Sequence, residues 1–280
     1  MSVLITGGAG LLGRALIEVA PEAQRAEITW HNDRPERVEG VKQHRCDLTQ
    51  PLAFFTLAER RRPDLVIHTA YARTDHHATI DMTSEVATAC HSLEVPLVHV
   101  SSDVVFDGTA DFYDETAAPS PLHAYGHAKA RCEGIVAENC PDAAIVRTSL
   151  IVAPDASDAS SSWLVDSLRR GERVTLFGDE YRCPIWATDL ARLLWDLVAL
   201  ERSERRGVWH LVGPERLSRV ELGVAIAARL GLDASLIDSA SSDSMAEPRP
   251  KNLTLTSTRA ARLPSRPRRV STVETYGSSK

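Results

Sequence analysis

The chain has 280 residues, a length that suits one large α/β unit or one domain with a smaller companion. Hydrophobic residues make up 43% of it and the formal net charge is −6, so a substantial core is available and nothing in the charge calls for nucleic acid or an anionic membrane. No run approaches the roughly 18–20 apolar residues of a membrane span, and Val3-Leu4-Ile5 is too short for a signal peptide core, so a cytoplasmic protein is expected.

Apolar runs of strand length alternate with helical patterns along the first half. Val3–Thr6 reads as a buried strand, Leu11–Ala20 as a helix ended by Pro21, and Ile28–His31 as a second strand. A short third strand ends near Asp47. Pro51–Arg61 reads as a helix with Thr49 as its cap. Leu65–Thr69 and Leu97–Ser101 read as strands around a helix at Thr83–Leu93. Tyr125–Glu138 is a helix and Ala144–Arg147 a strand. This alternation predicts an α/β fold with a doubly wound parallel sheet.

The pattern changes after residue 150. Ala156–Ser162 reads as a loop, Trp163–Arg170 as a helix, Ala187–Leu200 as a strongly apolar helix and Val208–Leu211 as a short strand. Ser218 followed by Glu221 marks a capped helix over Ser218–Leu230. Residues 239–269 carry little periodicity, and Arg266, Arg268 and Arg269 read as a solvated run. The expected division is a dinucleotide-binding domain over 1–150, with 185–212 returning to it, and a smaller C-terminal α/β substrate-binding cap over 151–184 and 213–280. Cys46, Cys90, Cys132, Cys140 and Cys183 contain no CxxC pair and read as reduced thiols. No metal site is expected; the neighbouring His76 and His77 lack acidic or thiol partners at ligand spacing and read as exposed loop residues.

Gly7, Gly10 and Gly13 directly follow the first strand and open the first helix. Gly7 suits a tight turn, Gly10 a close approach of backbone to a pyrophosphate, and Gly13 close packing of helix on strand. The helix N-terminus then presents free N–H groups to phosphate. In this context the loop indicates a Rossmann-like dinucleotide site rather than an ordinary turn. Asp47 stands where an acceptor for the adenine amino group is expected. Near the end of the second strand, Asp33 favours a free ribose hydroxyl and Arg34 a 2′-phosphate; NADP is the preferred cofactor, with NAD the alternative.

Tyr125 and Lys129 are spaced to share one helix face. Ser101, Ser102 and Asp103 end an apolar strand some 20 residues earlier, at the edge where parallel sheets carry their chemistry. Hydride transfer to a carbonyl leaves charge on oxygen. Tyr125 can supply the proton, Lys129 is expected to bring the phenol pKa down and to bind the nicotinamide ribose, and Ser102 can hold the carbonyl.

With these residues in place, the chain resembles the extended short-chain dehydrogenases/reductases, and within them the dTDP-4-dehydrorhamnose reductase branch. Ser101–Gly108, Tyr113–Thr116, Pro119–Tyr125, Ala144–Ser149, Asp189–Ala191, Val208–Leu211 and Pro248–Pro250 are similar to that branch's motifs in the same order. The resemblance implies an NAD(P)H-dependent reductase acting on a keto group of a sugar nucleotide. It implies Ser102, Tyr125 and Lys129 as the catalytic set. Gly7, Gly10, Leu11, Leu12, Gly13, Asp47, Leu48, Thr69, Ala70 and Tyr71 would line the dinucleotide, with Ser101, Arg147, Thr148 and Ser149 near its nicotinamide half. Asp103 and Arg182 are taken with Ser102 and Tyr125 as substrate contacts; for Arg182, read as a partner for a substrate phosphate or carboxylate, a loop salt bridge is the equal alternative. The chain departs from the branch at Leu150, where an aromatic residue is usual, at His68, where Asn is usual, at Val104, and at Asp81, where a helix Asn often supports the active-site water chain. Two alternatives stay open: an epimerase or dehydratase with internal redox, and a non-catalytic dinucleotide-binding subunit like the methionine adenosyltransferase beta subunit. The specific substrate and the oligomeric state, for which a homodimer is one option, are not read from the residues.

Overall fold

The structure, a computed structural model, describes residues 1–158 and 160–272. The first half runs β1 (Ser2–Thr6), α1 (Leu11–Glu18), β2 (Arg25–Trp30), β3 (Lys42–Arg45), α2 (Ala53–Arg61), β4 (Leu65–His68), α3 (His76–Ser92), β5 (Leu97–Ser102), α4 (Ala124–Asn139) and β6 (Ala144–Thr148). There follow β7 (Ile151–Val152), α5 (Ser162–Arg169), β8 (Val174–Phe177), β9 (Tyr181–Arg182), β10 (Ile185–Trp186), α6 (Ala187–Ala199), α7 (Arg202–Arg205), β11 (Gly207–His210), β12 (Leu217–Ser218), α8 (Arg219–Leu230) and β13 (Ile237–Ala240).

Seven strands form one sheet in the order β11-β6-β5-β4-β1-β2-β3, and every pairing is parallel. The strand order reverses between β1 and β4. In such sheets a crevice opens there, beyond the C-terminal strand ends, and takes the ligand. The near-continuous apolar runs of β1, β4, β5 and β6 are explained by burial on both faces. Val3, Ile5, Val98 and Val146 pack with Leu12, Leu16, Leu190 and Leu194 on one side. Leu4, Val66, Leu97 and Ile145 pack with Phe54, Leu57, Val86 and Val136 on the other. The apolar α6 lies against α1, and Trp195 donates its indole N–H to the Leu16 carbonyl at 2.9 Å.

Outside the sheet, β8 and β13 pair in parallel and α5 and α8 enclose Leu164, Leu168, Val174, Leu176 and Ala227. Ser218 and Glu221 form a reciprocal capping box at the start of α8, and Gly231 ends that helix in a left-handed conformation. Three short strand pairs stand apart from the main sheet: β7 with β10, β9 with β12, and β8 with β13.

Three local expectations are corrected. Thr49 does not cap α2; it donates to Asp47, and the first amides of α2 are satisfied by the Glu85 carboxylate from α3. α3 begins at His76 because Asp75 caps it by accepting from the Ala78 amide at 2.9 Å, so His76 and His77 lie in a helical turn and not a loop. Arg268 is not part of a solvated run: it pairs with Asp189, whose side chain is buried, and ties the C-terminal segment to α6. No helix among the described residues is long and apolar enough to cross a membrane.

Candidate active site

The glycine loop is compact for steric reasons. Gly7 has φ +72°, a left-handed value, and a Cβ there would press on the Ala70 backbone at 3.0 Å. A Cβ on Gly13 would strike the Gly7 carbonyl at 2.4 Å, so Gly13 serves the packing of α1 on the loop itself. Gly8, not Gly13, makes the close approach to β2, where a Cβ would meet Ile28 at 2.5 Å. Gly10 stands at the N-cap of α1 without a side-chain cap bond. The first-turn amides and the positive end of the helix therefore face the cleft.

Two adjoining clefts meet at this loop. One, about 480 Å³, is lined by Gly10, Leu11, Leu12 and Gly13 with Thr69, Ser102, Asp103, Tyr125, Lys129, Thr148 and Arg182. The other, about 380 Å³, is lined by Gly7, Trp30, His31, Asp47, Leu48, Ala70 and Tyr71. Thr69 donates its hydroxyl to the Thr6 carbonyl at 2.6 Å, which fixes the loop after β4 against β1. Asp47 accepts from the Thr49 hydroxyl and amide at 2.7 and 3.0 Å, and these bonds hold its carboxyl below the usual range. Arg34 is exposed, with its guanidinium 6.0 Å from the Trp30 ring centre; Arg45 lies 5.8 Å from the same ring.

Tyr125 and Lys129 lie one turn apart on α4. His123 caps this helix through Nδ1, which accepts from the Gly126 amide at 3.1 Å. Gly126 packs on β5's continuation so tightly that a Cβ would lie 2.3 Å from the Val104 carbonyl. The Tyr125 ring is surrounded by Tyr71, His76 and His123, with centroids 5.7–6.5 Å away. Burial first, then Tyr71, Asp103 and Cys132, raise the Tyr125 phenol well above its ordinary value. The expectation that Lys129 lowers this pKa is corrected for the protein alone. Lys129 is itself buried, which lowers its own pKa, and its ammonium donates to the Val100 carbonyl at 2.8 Å. Tyr125 is thus held protonated, as a proton donor requires.

Ser102 lies 3.2 Å from Asp103 Oδ1. The Asp103 carboxylate also accepts from Ser149 at 2.6 Å and from Arg182 at 2.9 Å. Asp103 is 2% exposed. Its oxygens face this network, so it organises Ser102 and Arg182 at the cleft wall.

One expected cofactor contact, Arg147, is corrected. Ser101 lines the cleft, but its hydroxyl donates to Glu133 at 2.6 Å, on the opposite face of β5 from Ser102. Arg147 forms a buried bidentate pair with Glu133 and lies over the Phe106 ring at 5.0 Å, away from both clefts. Thr148 reaches the cleft, although its hydroxyl is bonded to the Leu211 carbonyl at 2.7 Å. Asp81 is exposed on α3; Thr79 and Thr83 are the buried polar residues of that helix. Among the described residues no His/Cys/Asp/Glu cluster fits a metal ion.

Sequence reasoning missed Trp30, His76 and His123. An aromatic at the end of a strand beside a glycine loop is a usable signal for Trp30. Histidine is an uncommon cap, and nothing in the pattern points to it.

The family model for the RmlD substrate binding domain matches residues 1–272. A probable low-salt glycan biosynthesis reductase of Haloferax volcanii is 31% identical, with 85% of this chain and 83% of that protein covered. A dTDP-4-keto-6-deoxy-D-glucose reductase of Streptomyces niveus is 30% identical, with 87% and 83% covered. The crystal structure of a hypothetical dTDP-4-dehydrorhamnose reductase from Sulfolobus tokodaii superposes with a TM-score of 0.80 at 26% identity, covering 95% of this chain and 96% of that one.

Proposed function

The chain belongs to the RmlD substrate binding domain family of extended short-chain dehydrogenases/reductases, and from that premise we propose that it reduces a keto group of a sugar nucleotide with NADPH or NADH. Two relatives matched at 30% identity or more are reductases by name, one of them of a dTDP-keto-sugar, while relatives at 26–29% identity over 83–89% of this chain are methionine adenosyltransferase 2 beta subunits. The observation that carries the reading is the placement of Tyr125, Lys129 and Ser102 in one cleft with the glycine loop.

The cleft suits a dinucleotide by its own construction: uncapped amides at the start of α1, and glycines that let the loop fold tightly on itself, on Ile28 and on the Ala70 backbone. Gly7, Gly10, Leu11, Leu12 and Gly13 hold the pyrophosphate in this reading, and Thr69, Ala70 and Tyr71 flank its path. Asp47 and Leu48 border the adenine. Arg34, with Arg45 on the same indole ring, meets a 2′-phosphate, which favours NADP over NAD. The bound nicotinamide supplies the hydride.

The chain's own residues do the rest. Ser102 turns its hydroxyl from Asp103 to the substrate carbonyl and stabilises the charge that develops there. Tyr125 donates its phenolic proton to that oxygen. Lys129, charged and buried, stabilises the resulting phenolate and binds the ribose. Arg182 borders the same cleft and meets an anionic part of the substrate.

The test is a cofactor-consumption assay with dTDP-4-dehydrorhamnose and NADPH. Oxidised cofactor formed in step with reduced sugar supports the reading. Turnover without net cofactor change, or tight cofactor binding without turnover of any keto-sugar nucleotide, would overturn it.

A further inference from the structure

On the face of the sheet covered by α3 and α4, the strands end in a buried polar layer: Thr6 on β1, His68 on β4, and His99 and Ser101 on β5. Its bonding fixes the proton positions. The Thr6 hydroxyl oxygen accepts from the amides of Thr69 and Ala70 at 3.2 and 3.3 Å, so its own hydrogen goes to His68 Nδ1 at 2.7 Å. His68 then carries its hydrogen on Nε2 and donates to Thr83 at 3.2 Å. Thr83 passes its hydrogen to the Thr79 carbonyl at 2.9 Å.

His68 is therefore fully paired. His99 is not: it is 1% exposed, stands 5.3 Å from the His68 ring, and neither of its ring nitrogens has a partner. The buried polar and titratable groups on the elements packed against β5 are Lys129, Cys132 and Glu133 of α4, His68 of β4, Arg147 of β6, which is tied to Glu133, and Thr79, Thr83 and Cys90 of α3. Burial and the nearby Lys129 charge hold His68 at about 3, and burial, Lys129 and His68 hold His99 far below the imidazole range. Both rings are neutral, and His99 offers an acceptor to the one buried ammonium beside it. Lys129 itself donates to the Val100 carbonyl on the same strand.

We propose that His99 is a positioning residue for Lys129: its ring nitrogen takes a second hydrogen bond of the ammonium across one bridging water, so that Lys129 stays charged and aimed at Tyr125 and the cleft. A neutral acceptor beside a desolvated cation stabilises the charged form and adds no competing charge. Losing that acceptor makes Lys129 release its proton at lower pH. The consequence for turnover rests on the proposed reductase reading; the placement of Lys129 does not.

The chain has four lysines, Lys42, Lys129, Lys251 and Lys280, so ¹³C-lysine NMR of the full chain resolves the Lys129 titration, assigned by its loss in Lys129→Met. His99→Leu should lower the Lys129 pKa by about one unit, a tenfold change in its protonation equilibrium, and His99→Gln, which keeps an acceptor, should restore it. An unchanged Lys129 titration in His99→Leu, or a Gln variant that behaves like the Leu variant, overturns the proposal. Where His99→Leu fails to fold, ¹⁵N-histidine NMR of the unaltered protein decides: a single fixed His99 tautomer is expected, and rapid exchange between both tautomers rejects it. With dTDP-4-dehydrorhamnose and NADPH, the alkaline limb of kcat should move to lower pH in His99→Leu while KM holds. Absence of turnover with that substrate counts against the reductase reading alone, since the NMR titrations are read without substrate.

Discussion

Arg182 on β9 and Asp103 at the end of β5 form a 2.9 Å ion pair whose side chains are 9% and 2% exposed. The pair joins the region beyond the main sheet to the edge of the sheet where β5 ends. The same carboxylate accepts from Ser149, which in turn accepts from the Cys183 amide at 3.1 Å. Cleft wall and sheet edge are thus set by one buried group.

Breaking such a pair on one side leaves a charge without compensation. Arg182→Ala should lower stability by about 3–5 kcal/mol, and Asp103→Asn combined with Arg182→Leu should recover part of that loss. Urea denaturation of the two variants measures this. In the single variant KM for the sugar nucleotide should also rise.

Tyr125→Phe removes the only atom that gives the proton in the proposed step. Turnover should fall at least a thousandfold, on the order of the upper range for general acid catalysis, and cofactor affinity should change little. Steady-state kinetics and fluorescence titration with NADPH read the two separately. Retained activity rejects the mechanism.

Arg34→Ala should reduce the preference for NADPH over NADH by roughly tenfold, the scale of one charge-assisted contact. The ratio of kcat/KM for the two cofactors measures it. An unchanged ratio assigns the 2′-phosphate to another group.

Glu27 gives an acid-dependent signature. Burial raises its pKa, but hydrogen bonds from Arg61 and His44 outweigh that and bring the carboxyl from 4.5 down to about 2. The folded pKa is depressed, so this contribution to stability is complete above pH about 4.5 and is lost as pH falls toward about 2. Urea midpoints across that window should decline, and Arg61→Ala should flatten the decline.

The parallel sheet was readable from the apolar runs, because strands buried on both faces leave little else in the sequence. The glycine loop, Ser102, Tyr125 and Lys129 were readable because each combines a residue type with a place at a strand end or helix start. Arg147 was misplaced by parity, and the Ser101 hydroxyl turns from the cleft for the same reason. They stand opposite each other in register, one residue before Ser102 and Thr148, and alternation turns their side chains to the far face. Periodicity identifies a strand end but not which residue of it faces the ligand. The His68–His99 layer was hidden for another reason: its bonds run between strands and helices far apart in sequence. The segment carrying Arg268 was misread because its partner, Asp189, lies on α6 and local composition carries no sign of it.

The last strand to join the main sheet is β11, which pairs with β6 only after the whole excursion through α5 to α7 has been made. During synthesis, Ala144–Thr148 emerges with one flank paired to β5 and the other open. It stays open until Gly207–His210 has left the ribosome, and a bare apolar flank of that kind recruits strands from other chains. A translation stall or a premature stop between the two strands would therefore release a sticky half-sheet, with its dinucleotide loop already assembled.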